Sequence, residues 1–186
     1  MFSKKLFGLF FLVACVAIVP AQYSFADKAA DAERQKALAN PYPNDFGPGT
    51  VDVSKYTPEQ QEGYKLMQDR CAKCHTPSRP LNSQFLDLKP EEIAAVKAKN
   101  PEIFANKQIW QPESGIWQRY IKRMMAKPGC NISTEDGKKI WKFIVEYSKR
   151  EKTGTNAVAW KSRREKLVAD FKVKYPARYK ELFEAK

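Results

Sequence analysis

The first apolar run of the chain, from Leu6 to Val19, shows no helical or strand periodicity. It follows a basic start, Met1-Phe2-Ser3-Lys4-Lys5, and is too short for a comfortable membrane span. With Ser24-Phe25-Ala26 supplying a small-x-small pattern, it predicts an export signal over residues 1–26, cut between Ala26 and Asp27. Cys15, at the end of Leu12-Val13-Ala14-Cys15, offers a lipoprotein alternative, weakened by the apolar residues that follow it; an uncleaved anchor is the third option. Residues 27–39 are Ala-rich and polar, and 40–49 (NPYPNDFGPG) are dense in Pro and Gly, so 27–50 reads as a flexible arm before a domain that begins near Val51.

Beyond Val51 the apolar positions adopt the helical period. Thr57-Pro58-Glu59-Gln60 is a capping box with Pro at the first helical position. It opens a helix over 58–71 with Gly63, Tyr64 and Met67 along one face. A further helix is expected over 90–99, and Phe85, Phe104, Ile109 and Trp110 read as core packing. Trp117, Tyr120, Ile121 and Met124 fall at i, i+3, i+4 and i+7 and predict a helix over 113–127, ended by Lys127-Pro128-Gly129. Ser133 and Asp136 form a second capping box by position. It starts a helix to about Arg150, with Ile140, Trp141, Phe143, Ile144 and Tyr147 turned inward. The tail, 151–186, adds two amphipathic stripes: Trp160, Leu167, Val168 and Phe171, then Tyr179, Leu182 and Phe183 after Pro176. The expectation is an all-α chain, with a main domain over 51–150 and a helical extension behind it.

Charge narrows the class of partner. The whole chain carries +12; without Lys4 and Lys5 there remain 31 Lys and Arg against 21 Asp and Glu, or +10. From Lys149 to Lys186 there are 12 basic and 5 acidic residues. Such an excess either solvates a surface or steers the protein toward an acidic partner or an anionic membrane. The basic tail either packs back on the domain or docks on a partner subunit or a membrane surface. A glycine-rich phosphate loop and a basic–aromatic nucleic-acid motif are both missing, and a nucleic-acid role does not fit an exported chain.

The chemistry concentrates in Cys71-Ala72-Lys73-Cys74-His75. C-x-x-C-H is the attachment pattern of a c-type haem. Two thiols three positions apart can each form a thioether with one vinyl group of a single haem, and the adjacent His75 then supplies a nitrogen to the iron. A zinc site would need two more suitable ligands, and only Cys130 remains once Cys15 leaves with the signal. A redox dithiol would need a βαβ context. Cys130 is left as an unpaired thiol in an oxidising compartment, which asks for an explanation.

A helix carrying Gly63 and Tyr64 about seven residues before Cys71 resembles the N-terminal helix of the monohaem c-type cytochrome family. The run Arg123-Met124-Met125-Ala126-Lys127-Pro128-Gly129, followed by Ile132-Ser133 and an aromatic-rich helix, is similar to the C-terminal half of its small members. The resemblance spans roughly 57–150, with a longer middle segment than the compact forms have. It implies a cytochrome c-like domain of about four to five helices with one covalently bound haem c. In that family the glycine permits a close helix crossing, a Pro carbonyl orients the proximal His, and a Met ahead of the turn is the distal ligand. Pro77 and Pro80 are the candidates for that carbonyl. Arg79 is either a partner of a haem propionate or an ordinary surface residue.

His75 is the only histidine, so a second His ligand is excluded within one chain. Met124, on the buried stripe, is the first candidate for the distal position. Met125 is one position round the helix, and Cys130 lies in the turn that passes the iron. A Met ligand raises the potential, whereas a thiolate pushes electron density onto the iron. Two functions follow. One is an exported single-electron carrier, not an enzyme, serving a redox partner with an acidic docking surface. The other is a haem-binding module or subunit with a labile or Cys-ligated sixth site, binding a small gas or working beside a second cytochrome subunit.

Overall fold

The computed structural model describes residues 25–83, 89–99 and 115–184. The export run with Cys15, and Phe85, Phe104, Ile109 and Trp110, lie outside these residues. Among the described residues all regular structure is helical, as expected for an all-α chain. In chain order there are α1 (Phe25–Ala39), a 3₁₀ turn (Pro43–Phe46), α2 (Pro58–Cys71), the one-turn α3 (Ser78–Leu81) and α4 (Pro90–Lys99). Then come α5 (Ile116–Met125), α6 (Thr134–Lys152), a 3₁₀ turn (Gly154–Asn156), α7 (Ala157–Lys174) and α8 (Pro176–Tyr179), which runs into a π turn (Lys180–Glu184).

The two capping boxes work as their sequences predict. Thr57 Oγ1 accepts from the Gln60 N–H at 3.3 Å, while Gln60 Oε1 accepts from the Thr57 N–H at 3.1 Å. Ser133 Oγ accepts from the Asp136 N–H at 3.0 Å. Each satisfies backbone donors that a helix start leaves orphaned.

The helices so started, α2 and α6, form the central pair, and they cross at Gly63. A Cβ built there would stand 2.2 Å from the Lys139 carbonyl oxygen and 3.1 Å from Phe143 Cβ. Only a residue without a side chain allows this approach. Around the crossing lie Tyr64, Met67, Ile140, Phe143, Ile144 and Tyr147, all buried. Tyr64 stacks obliquely on Phe143 at 5.1 Å between ring centroids, and its hydroxyl accepts from the Val51 N–H at 3.0 Å. Trp141 departs from the expected inward set and is 38% exposed. It lies a turn-fraction away from the 140–143–144–147 stripe, so it faces solvent while the stripe faces α2.

Helix α5 lies against α6 and is shorter than expected: it starts at Ile116, after Gly115 in the left-handed region (φ 74°), and ends at Met125. The chain then turns through Gly129 (φ 73°), where a Cβ would meet Ala30 Cβ at 2.3 Å, and drops Cys130 into the core.

That contact revises the expectation of a loose arm over 27–50. Helix α1 lies over the Pro128-Gly129 turn, and Lys127 Nζ reaches Glu33 Oε2 at 2.5 Å. In the 3₁₀ turn Pro43 and Asn44 are buried. The tail packs back on the molecule. Trp160 and Phe171 of α7 are buried, and Phe46 of the 3₁₀ turn meets the rings of Tyr175 and Phe171 at 5.3 and 6.0 Å. Residues 25–50 and 153–184 therefore hold each other beside the α2–α6 pair.

Candidate functional site

Helix α2 delivers Cys71 at its last residue, and the following turn keeps helical character: the His75 N–H donates to the Cys71 carbonyl at 3.4 Å. This places Cys71, Cys74 and His75 on the wall of one cavity of about 470 Å³. Met124 enters the same cavity from α5 and Cys130 from the turn behind it. Met67, Trp117, Ile121, Ile140 and Ile144 supply its apolar lining. Met125 is not part of that wall. Its Sδ lies 3.1 Å from where a Cβ on Gly137 would stand, so it fills the α5–α6 contact. Of the candidates for a distal ligand, Met124 and Cys130 share the cavity with His75, and Met125 does not.

The orientation of His75 is set by a backbone carbonyl, but not by either proline. Nδ1 is 2.9 Å from the Thr76 carbonyl oxygen. A carbonyl only accepts, so Nδ1 carries the proton and Nε2 keeps its lone pair. The Pro80 carbonyl is occupied instead by the Ser83 N–H at 3.3 Å. Burial, with a smaller push from the Arg79 guanidinium, lowers the His75 pKa below its usual value and favours the neutral imidazole a metal needs.

All three described cysteines are free thiols. Burial pushes the Cys71 thiol up to about 12, with smaller contributions from neighbouring Cys130 and Cys74. Burial also raises Cys130, helped by Cys74. All three thiols line the same cavity.

One end of the cavity is polar, lined by Asn40, Tyr42, Asn44, Ser83, Arg79 and Arg178. Arg79 is already held there by Asp45, through Nε–Oδ1 at 2.7 Å and Nη2–Oδ2 at 2.6 Å, with its guanidinium over the Tyr42 ring. Arg178 comes from the tail, stacks on the same Tyr42 ring and donates to the Pro41 carbonyl at 3.3 Å. Lys36, Arg70, Arg123 and Lys127 complete a basic rim; among the described residues Glu33 is the acid on the wall itself, while Asp45 and Glu181 pair with Arg79 and Arg178.

The donor set fits a covalently held haem. Two thiols, an imidazole with a free Nε2 and two sulfur candidates from another element meet in one cavity of ligand size. The polar end carries the guanidiniums of Arg79 and Arg178, which pair with Asp45 and Glu181 and offer positive charge to the two carboxylates that such a group carries. Sequence reasoning missed the Thr76 carbonyl, and also Asn44, Asp45 and Arg178, which lie in segments without motif character. The Asn/Asp/Pro density of residues 40–49 was the only trace of Asn44 and Asp45. No protein-family model, curated protein or solved structure matches the chain.

Proposed function

We propose that this chain is an exported single-haem c-type cytochrome that passes electrons one at a time to or from a protein partner. The observation that carries the reading is the convergence of Cys71, Cys74, His75 and Met124 on one largely apolar cavity. When bound, the haem supplies a one-electron iron couple. The chain's own residues do the rest. Cys71 and Cys74 tether the group, and His75 presents Nε2 because Thr76 holds Nδ1–H. Trp117, Ile121, Ile140 and Ile144 exclude water, which sets the potential. The basic rim of Lys36, Arg70, Arg123 and Lys127 suits an acidic docking surface.

A second reading rests on Cys130, which is buried in the same cavity. A sulfur there makes the chain a haem-binding module or redox subunit with a Cys-ligated or labile sixth site. Covalent attachment is tested first: the Cys71→Ser/Cys74→Ser protein should lose its thioether-bound haem spectrum. Absorption and EPR of the oxidised protein then separate the readings. A weak near-red charge-transfer band lost in Met124→Ala and kept in Cys130→Ala supports the carrier. A low-spin thiolate signal lost only in Cys130→Ala supports the module. Retention of a covalent haem spectrum without the two cysteines would sink both.

A further inference from the structure

Lys152, the last residue of α6, is fully enclosed. Its Nζ donates to the Ser83 carbonyl and lies over three rings, Trp160 at 4.7 Å, Tyr147 at 5.0 Å and Trp117 at 5.9 Å. Among the described residues no carboxylate forms an ion pair with it. The groups facing it can be taken element by element. Helix α7 brings Arg164 and Arg163, both positive. Helix α6 itself brings Glu151 and Tyr147, the latter held as a neutral phenol by burial. Helix α5 contributes uncharged Trp117 and the stretch after α3 uncharged Ser83. Arg164 is anchored beside it on Asn44 Oδ1.

Ring faces and a carbonyl stabilise an ammonium, while enclosure and two guanidiniums oppose it. Burial first, then Arg164 and Arg163, hold the lysine well below its ordinary pKa. The amine thus gives up its proton more readily than an exposed lysine does. It is also close to the cavity: Trp117 and Ser83, which touch it, line the cavity wall. A unit charge in the cavity therefore acts on the amine through Trp117 and Ser83 and not through bulk water, which screens it less.

The geometry points to Lys152 as a redox-linked proton site, whose amine gains one proton when the centre in the cavity gains one electron and loses it when the electron leaves. This rests on the cytochrome reading above. The electron comes from a one-electron donor protein and the proton from solvent water. The Nζ lone pair forms the new N–H bond as an O–H bond of solvent hydronium breaks and leaves water, and no bond within the protein breaks. The coupling has a definite sign. An added electron favours the ammonium, so the amine binds its proton more tightly in the reduced protein than in the oxidised one. Between the two pKa values the potential falls as pH rises, toward about 59 mV per pH unit for one proton per electron. Outside that window it is flat.

The test is a spectroelectrochemical titration of the haem-loaded protein from about pH 5 to about pH 10, below the ordinary lysine value. The wild type should show the sloped window. Lys152→Met should be flat, and so should Lys152→Arg, whose guanidinium stays charged, at a higher potential than the Met variant. Arg163→Gln keeps Lys152 and removes one facing positive charge, so its window should move to higher pH; this variant carries the test if Lys152 substitutions fail to fold. A flat wild-type profile, an equal slope in Lys152→Met, or an unmoved window in Arg163→Gln overturns the proposal. Purified protein without covalent haem overturns the cytochrome reading and this proposal with it, whereas loaded protein with a pH-independent potential overturns this proposal alone.

Discussion

Met124 and Met125 are neighbours in sequence with the same side chain, yet one lines the cavity and the other packs on Gly137. The apolar stripe with Trp117, Tyr120 and Ile121 was enough to separate them, because a helix turns each residue about 100° from the last. Lys152 and Arg164 were not legible in the same way. A basic residue at the end of a helix reads as a solvated cation, and only the rings brought in by α5 and α7 make Lys152 a buried one. Its burial has a consequence for stability. Above the unfolded-state value of about 10.4 the amine is neutral in both states and contributes nothing. As pH falls below that value the unfolded chain binds a proton that the folded chain takes up only at lower pH, so stability falls until the folded pKa is reached. In urea unfolding of the oxidised protein, wild-type stability should therefore rise with pH through the alkaline range up to about 10.4. The same slope in Lys152→Met would contradict this.

The elements with the clearest boundaries are α2 and α6, because each begins with a side chain that satisfies its own first backbone donors. Their crossing gives the sharpest element-level prediction. At an ordinary exposed helix position Ala is better than Gly by about 1 kcal/mol. At Gly63 the new methyl would meet the backbone carbonyl of Lys139, which cannot rotate away, and overpacking of this kind costs about 1–3 kcal/mol or more. Gly63→Ala should thus lower stability, by up to about 2 kcal/mol net of propensity. Urea unfolding checks it, and a variant as stable as wild type would show that the crossing yields. The elements read least well were α1 and the 3₁₀ turn, while in the inward set of α6 only Trp141 was misplaced. Residues 27–50 lack an apolar stripe of their own; they are held by Gly129, Lys127, Arg79 and the tail, partners far away in sequence.

At the scale of the molecule, the tail closes over the 3₁₀ turn and brings Arg178 to the polar end of the cavity. It is part of the site's wall as well as a source of charge. The basic rim makes an electrostatic prediction. Stopped-flow electron exchange with an acidic one-electron partner protein should slow as salt is added, by about tenfold or more between low and high ionic strength. A rate indifferent to salt would remove the acidic-partner reading. Among the described residues no helix is long and apolar enough to cross a membrane.

The amino-acid sequence alone determined the helical class, the two capped helices, the C-x-x-C-H motif and the placing of Met124, and not Met125, on the stripe that faces the cavity. Each depends on residues within a turn or two of one another, where periodicity and capping act directly. The tertiary structure decided which groups share the cavity, which carbonyl orients His75, and that Lys152 and Arg164 are buried. The burial depends on contacts between segments more than sixty residues apart, such as Lys152 with Ser83 and Arg164 with Asn44, and the cavity on α2 and α5 meeting from distant parts of the chain; the Thr76 carbonyl is a sequence neighbour that only the folded turn aims at the His75 ring. A local pattern carries no record of such a partner, because burial belongs to the packed surface and not to the residue.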